Sequence, residues 1–203
     1  MKIRINIQIF IMIGILILTR QIEIYAWLML FALIHELAHT FAGILLKLKP
    51  KTLEIEPFGI GIIFESYQNT EKNKIIIALA GPTMNLLLAI IFSFVNIKAR
   101  ELIVNANLLL SIFNMIPIYP LDGGRIIKSI LRTKKGKEET EAIVNKISNI
   151  LMISITMISS LLVLKYKNIA LLIVVGYLWI IVIRENKKYT LWKKINVTLN
   201  KKN

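Results

Sequence analysis

Hydrophobic positions along this chain fall in long runs separated by short polar segments. Six runs approach the roughly 17–25 apolar residues that a membrane-crossing helix needs. They are about Ile3–Leu18, Ile22–Leu46, Lys74–Asn96, Leu102–Tyr119, Ile147–Leu164 and Ile169–Ile183. The interval Lys47–Asn73 is too polar to span. Within it Thr52–Glu56 alternates with period two, and Pro57-Phe58-Gly59-Ile60-Gly61 reads as a turn. A short β-hairpin or re-entrant loop is therefore expected between spans two and three. The pattern predicts an all-α polytopic membrane protein of about six transmembrane helices with that one interruption.

Composition supports a bilayer as the solvent. The 203 residues are 56% hydrophobic with a mean hydropathy of +0.65. A single domain of this size keeps too much of its surface in water to hide that much apolar material. Met1–Leu18 has the basic start and apolar run of a secretory signal, but Thr19–Glu23 offers no small-x-small cleavage site, so a retained span is expected. The absence of cysteine excludes disulfides, thiolate metal sites and cysteine nucleophiles.

Charge adds orientation. The formal net charge is +14, a balance that raises nucleic acid as a partner. The basic residues sit in clusters between apolar runs, with no aromatic-basic platform, so no nucleic-acid partner is expected. Placing the N-terminus inside puts 21 of the 26 Lys and Arg on the inner side of six spans. Inner-face enrichment of basic residues then places both termini in the cytoplasm. Residues 1–184 read as a membrane-embedded domain. Residues 185–203, which include Tyr189 and Trp192, read as a basic cytoplasmic tail at the lipid surface.

Chemistry concentrates in the second run, at His35-Glu36-Leu37-Ala38-His39. Helix residues four apart differ by about 40° around the axis, so both imidazoles can reach one zinc ion. Glu36, next to the first ligand, is placed to take a proton from attacking water. These are the only two histidines in the chain, and ionisable groups in mid-span cost about 2.5 kcal/mol or more each. Histidines that served helix packing alone would not require a carboxylate between them. Catalytic zinc usually takes three protein ligands. Asp122, the only aspartate, is the best third. It follows Pro117 and Pro120, which prevent a continuous helix, and precedes Gly123-Gly124, which permit tight backbone geometry.

With Gly81-Pro82-Thr83-Met84-Asn85 and Asn114-x-x-Pro117-x-x-Pro120-Leu121-Asp122-Gly123-Gly124, these residues resemble the intramembrane site-2 metalloproteases. The Pro57-Phe58-Gly59 turn resembles a membrane re-entrant loop of that family, although Ile60 stands where a second glycine usually follows. The resemblance implies one zinc ion held by His35, His39 and Asp122, and a role for Asn114 at the substrate backbone or the oxyanion. Within the family, six spans with cytoplasmic termini and no inserted PDZ domain resemble members that mature a sigma-factor precursor during endospore formation, in the membrane surrounding the forespore. About 19 residues follow the sixth run, so the nucleotide-sensing CBS domain common in those members is not expected here.

Other positions carry weaker signals. Asn85 in span three either orients a zinc ligand or contacts substrate, or simply bonds a neighbouring helix. Phe58 and Glu65 either line a substrate entry or pack within their loop. A substrate made accessible by local unwinding is expected to pair as a strand with Thr52–Glu56. The expected function is zinc-dependent cleavage of a membrane-associated protein, such as a sigma-factor precursor, near the cytoplasmic face, with membrane-protein inhibitors as further partners. General cleavage of anti-sigma factors or signal-peptide remnants is the alternative within proteases. A membrane zinc transporter or sensor is the alternative outside them.

Overall fold

A computed structural model describes residues 2–5, 22–48, 50–56, 59–64, 70–166 and 170–200. Strand β1 (Lys2–Ile5) precedes helix α1 (Ile22–Leu45). Strands β2 (Pro50–Glu56) and β3 (Gly59–Phe64) lead into α2 (Glu71–Ser93) and α3 (Arg100–Asn114). Helices α4 (Asp122–Lys134), α5 (Lys137–Tyr166) and α6 (Ala170–Asn200) follow. The chain divides into two compact units, Met1–Met115 and Ile116–Asn203.

In the first unit α1, α2 and α3 pack against one another, and α1 also packs on the sheet. Helix α1 buries Phe31, Ala32, His35, Ala38 and His39, while Leu30, Leu33, Leu37, Phe41 and Ile44 face outward. Large apolar groups thus lie outside and the two imidazoles inside, the reverse of a soluble helix. That inversion is favourable where the surrounding solvent is lipid, which welcomes leucine and penalises ionisable groups. Helix α2 buries small residues, Ala78, Gly81 and Ala89, together with Pro82 and Asn85. Small side chains let backbones approach closely, which lipid-embedded helices need because no hydrophobic effect drives them together. Phe31, Ile103 and Ala106 form the apolar centre, with Trp27 stacked on Phe31 at 5.9 Å between centroids. Thr70 caps α2, its hydroxyl accepting from the Asn73 amide at 3.2 Å.

The sheet order is β1-β2-β3, with β1 parallel and β3 antiparallel to β2. Two sequence expectations change here. Lys2–Ile5 forms β1, so an apolar span does not begin at Ile3. Thr52–Glu56 cannot receive a substrate strand, because β2 is central and both its edges are already paired.

The fourth apolar stretch is also shorter than expected. Helix α3 ends at Asn114, before Pro117 and Pro120, and its 15 residues rise only about 22 Å. That is less than the roughly 30 Å hydrocarbon core. Three helices among the described residues are long and apolar enough to cross a membrane, at Ala26–Leu45, Glu71–Ser93 and Lys137–Lys165.

In the second unit α5 packs against both α4 and α6. Glu141 accepts from Lys128 at 2.8 Å and from Arg132 at 2.6 Å, tying α4 to the start of α5. Lys128 also lies 3.9 Å from the Tyr119 ring centroid, a cation–π contact. Farther along α5, Thr156 Oγ1 accepts from Trp179 Nε1 at 2.9 Å, and Asn149 Oδ1 accepts from Asn186 Nδ2 at 2.8 Å. Helix α6 runs unbroken through Glu185 to Asn200, so the basic C-terminal segment continues the helix through those residues.

Candidate metal centre

The two histidines occupy adjacent turns of α1 on the face turned toward α2, with ring centroids 4.7 Å apart in a T-shaped arrangement. Their exposures are 4% and 3%, so neither ring can rely on bulk water for its hydrogen bonds. Each Nδ1 is held instead by a protein oxygen. His35 Nδ1 meets Asn85 Oδ1 at 2.5 Å, and His39 Nδ1 meets the Ile77 carbonyl at 2.6 Å. An oxygen of either kind only accepts, so each Nδ1 carries the proton and donates. In a neutral ring that leaves the lone pair on Nε2, the tautomer a metal ligand requires.

Both Nε2 atoms converge on one glycine. A Cβ built on Gly81 would stand 2.4 Å from His39 Nε2 and 2.5 Å from His35 Nε2. Real side chains do not approach that closely, so only glycine leaves room for the two nitrogens there. Pro82, the next residue, has no N–H and interrupts the helical ladder. Around this break Thr83 Oγ1 donates to the Leu79 and Ala80 carbonyls at 2.7 and 3.0 Å, and Ser111 Oγ on α3 donates to the Pro82 carbonyl at 2.9 Å. The Ile77 carbonyl that anchors His39 lies one turn before Gly81 on the same helix.

The hydrogen bonds behind His35 extend to α3. Asn85 Nδ2 donates to Asn107 Oδ1 at 2.8 Å, and Asn107 Nδ2 donates to the Ile103 carbonyl at 2.9 Å. Both asparagines are fully buried. Glu36 follows His35 directly and is half-buried, while its backbone carbonyl accepts from Thr40 Oγ1 at 2.8 Å.

Two neutral imidazole nitrogens with committed Nδ1 protons, facing space that a Cβ would fill, fit a zinc ion. The remaining expected residues are placed as follows. Asn85 bonds both His35 on α1 and Asn107 on α3. Asn114, the last residue of α3, turns its amide back to donate to the Leu110 carbonyl at 3.0 Å. Phe58 and Glu65 lie outside the described residues.

Asp122 belongs to the second unit, where it is buried in the first turn of α4 with Arg125 Nη1 at 3.6 Å. Its local fold depends on Gly124: a Cβ there would stand 2.4 Å from the Ile118 carbonyl carbon and the Tyr119 nitrogen. Gly124 thus lets α4 start directly against the Pro117–Pro120 segment. Leu121 N–H donates to the Ile118 carbonyl at 2.8 Å, and Tyr119 N–H donates to Ser148 Oγ at 3.0 Å.

Comparison with known proteins agrees with this chemistry. A zinc metalloprotease of Methanocaldococcus jannaschii is 29% identical over 163 residues, covering 73% of this chain and 46% of that protein. Stage IV sporulation protein FB of Bacillus subtilis is 28% identical over 134 residues, covering 63% of this chain and 46% of that protein. This chain therefore spans less than half the length of these relatives. The solved site-2 protease from Methanocaldococcus jannaschii superposes with a TM-score of 0.68 at 25% identity, covering 90% of this chain and 89% of that one. The model of peptidase family M50 matches residues 24–101 and 97–155, which include both histidines, Asn85, Asn107 and Asp122, and the chain belongs to that family.

Proposed function

We propose that this chain is a zinc-dependent intramembrane endopeptidase, with His35, His39 and Asp122 holding one zinc ion and Glu36 acting as catalytic base. The observation that carries the reading is the convergence of the His35 and His39 Nε2 atoms on Gly81. The named zinc metalloproteases among the relatives support the choice of metal. Asp122 is the chain's only aspartate and is buried, as a ligand carboxylate without bulk-water contact needs to be.

Zinc, when bound, polarises the scissile carbonyl and acidifies the attacking water. Glu36 takes the proton from that water as its oxygen bonds to the carbonyl carbon. The same carboxyl then delivers the proton to the departing amine nitrogen as the C–N bond breaks. His35 and His39 keep their Nδ1 protons on Asn85 and Ile77 throughout. Asn114 supplies a neutral amide donor to the developing oxyanion.

A substrate enters as an extended strand, because helical amides are already hydrogen-bonded. The outer edge of β3, Gly59–Phe64, is the edge proposed to receive it, with Phe58 at the entry. The distribution of basic residues supports cytoplasmic termini and a cut near the cytoplasmic face. The substrate class is a membrane-associated sigma-factor precursor, and similarity to stage IV sporulation protein FB supports a sporulation setting. Co-expression with such a precursor tests this. A shortened product is expected with the wild type and not with Glu36→Gln. Cleavage only of an anti-sigma factor or of signal-peptide remnants would remove the sporulation substrate. Zinc uptake into liposomes without any proteolysis would replace the enzyme by a transporter.

A further inference from the structure

We propose that Asn107 is a positioning residue that sets the tautomer of His35 through Asn85. The polarity of the three-bond chain is fixed at its far end. The Ile103 carbonyl accepts and cannot donate, so the Asn107 group facing it at 2.9 Å is the amide NH₂. Asn107 then presents its oxygen to Asn85, whose NH₂ must be the group that meets it at 2.8 Å. Asn85 is left with its oxygen toward His35, and that oxygen accepts the Nδ1 proton. Each side chain has one orientation that satisfies its neighbours, and the last consequence is a lone pair on His35 Nε2 facing Gly81.

Asn85 alone would not suffice. A carboxamide can turn over and offer either oxygen or NH₂ to an imidazole nitrogen with little change in shape. With NH₂ toward Nδ1, the ring would accept there and carry its proton on Nε2, where it would block the metal. Asn107 removes that option, because turning Asn85 over would set two oxygens against each other away from bulk water. Both residues are completely buried, so bulk water cannot relieve the conflict. His39 needs no such relay, since the Ile77 carbonyl that holds it cannot turn over.

The inference rests on the metal-ligand reading of His35, but its main test is independent of zinc. The chain has only two histidines, so selective nitrogen-15 labelling of the rings gives two ring systems to observe in the metal-free, full-length protein in detergent at alkaline pH. In the wild type both rings should carry the proton on Nδ1. In Asn107→Leu the His35 ring should become mixed or shift its proton to Nε2, while His39 stays as it was. Zinc affinity, measured by competition with a chelator, should fall about 10- to 100-fold. Asn85→Asp added to Asn107→Leu should restore both, because a carboxylate accepts from Nδ1 in any orientation. A wild-type His35 carrying its proton on Nε2 overturns the proposal without any variant. So does an unchanged His35 ring in Asn107→Leu, or equal disturbance of both rings. Wild-type rings as expected in a protein that binds no zinc would overturn the metal reading and leave the relay standing.

Discussion

A side chain on Gly81 would collide with His39: the Cβ position lies 2.4 Å from Nε2. Gly81→Ala sets two effects against each other. Alanine favours an interior helical position by about 1 kcal/mol over glycine. The added methyl must displace both imidazoles, which are held at Nδ1 by Asn85 and Ile77. The expected variant folds with near wild-type thermal stability and loses most of its zinc. Metal analysis of the purified protein reads this directly, and full zinc occupancy would show that the space beside Gly81 is not the metal position.

Asp122→Ala tests the third ligand. Removing the carboxylate should lower zinc content sharply while the helical circular-dichroism signal persists. Asp122→Glu should recover part of the metal, since the ligand chemistry is kept and only its reach changes. Unchanged zinc content in Asp122→Ala would take this residue out of the coordination set.

Glu141 joins α4 to α5 through Lys128 and Arg132, so the helix that begins with Asp122 is held at its far half by one carboxylate. Glu141→Ala should cost about 1–3 kcal/mol, the range for losing bonds between charged groups. Thermal unfolding in detergent measures the loss. A stability equal to wild type would mean that the apolar contacts of α4 alone fix it.

The Trp179–Thr156 hydrogen bond offers a check on α5 and α6. A double-mutant cycle with Trp179→Phe and Thr156→Val should give a coupling near 0.6 kcal/mol, with about 1.7 as an upper bound for such bonds between membrane helices. A coupling of zero would show that the two side chains do not interact in solution.

The pairing of the two histidines was legible because its signal is local. His35 and His39 are four residues apart, and their helical face follows from that spacing alone. The relay behind them was hidden for the opposite reason. Asn107 stands 22 residues from Asn85, on another helix, and only the packing register of α2 and α3 brings them together. That the missing Cβ of Gly81 faces two imidazoles is likewise a tertiary fact.

At the N-terminus, summed hydropathy outweighed pattern. Lys2-Ile3-Arg4-Ile5 alternates polar and apolar, which is strand periodicity, and β1 forms there. Charge composition marks residues 185–203 as a basic tail, and α6 runs on to Asn200 because Glu185-Asn186-Lys187-Lys188 contains no glycine or proline to stop it. A change in solvent preference is not a helix terminator.

In the proposed mechanism Glu36 performs the proton transfers beside a metal held by the two histidines. The most direct measurement combines zinc analysis and peptide-bond cleavage on one purified preparation of wild type and Glu36→Gln in lipid vesicles containing a membrane-protein substrate. Both proteins should contain about one zinc per chain, as a three-ligand catalytic site holds. Cleavage by Glu36→Gln should fall by about 10²- to 10⁴-fold, the contribution typical of a general acid–base. Cleavage by Glu36→Gln at the wild-type rate, with zinc bound, would rule out Glu36 as the base.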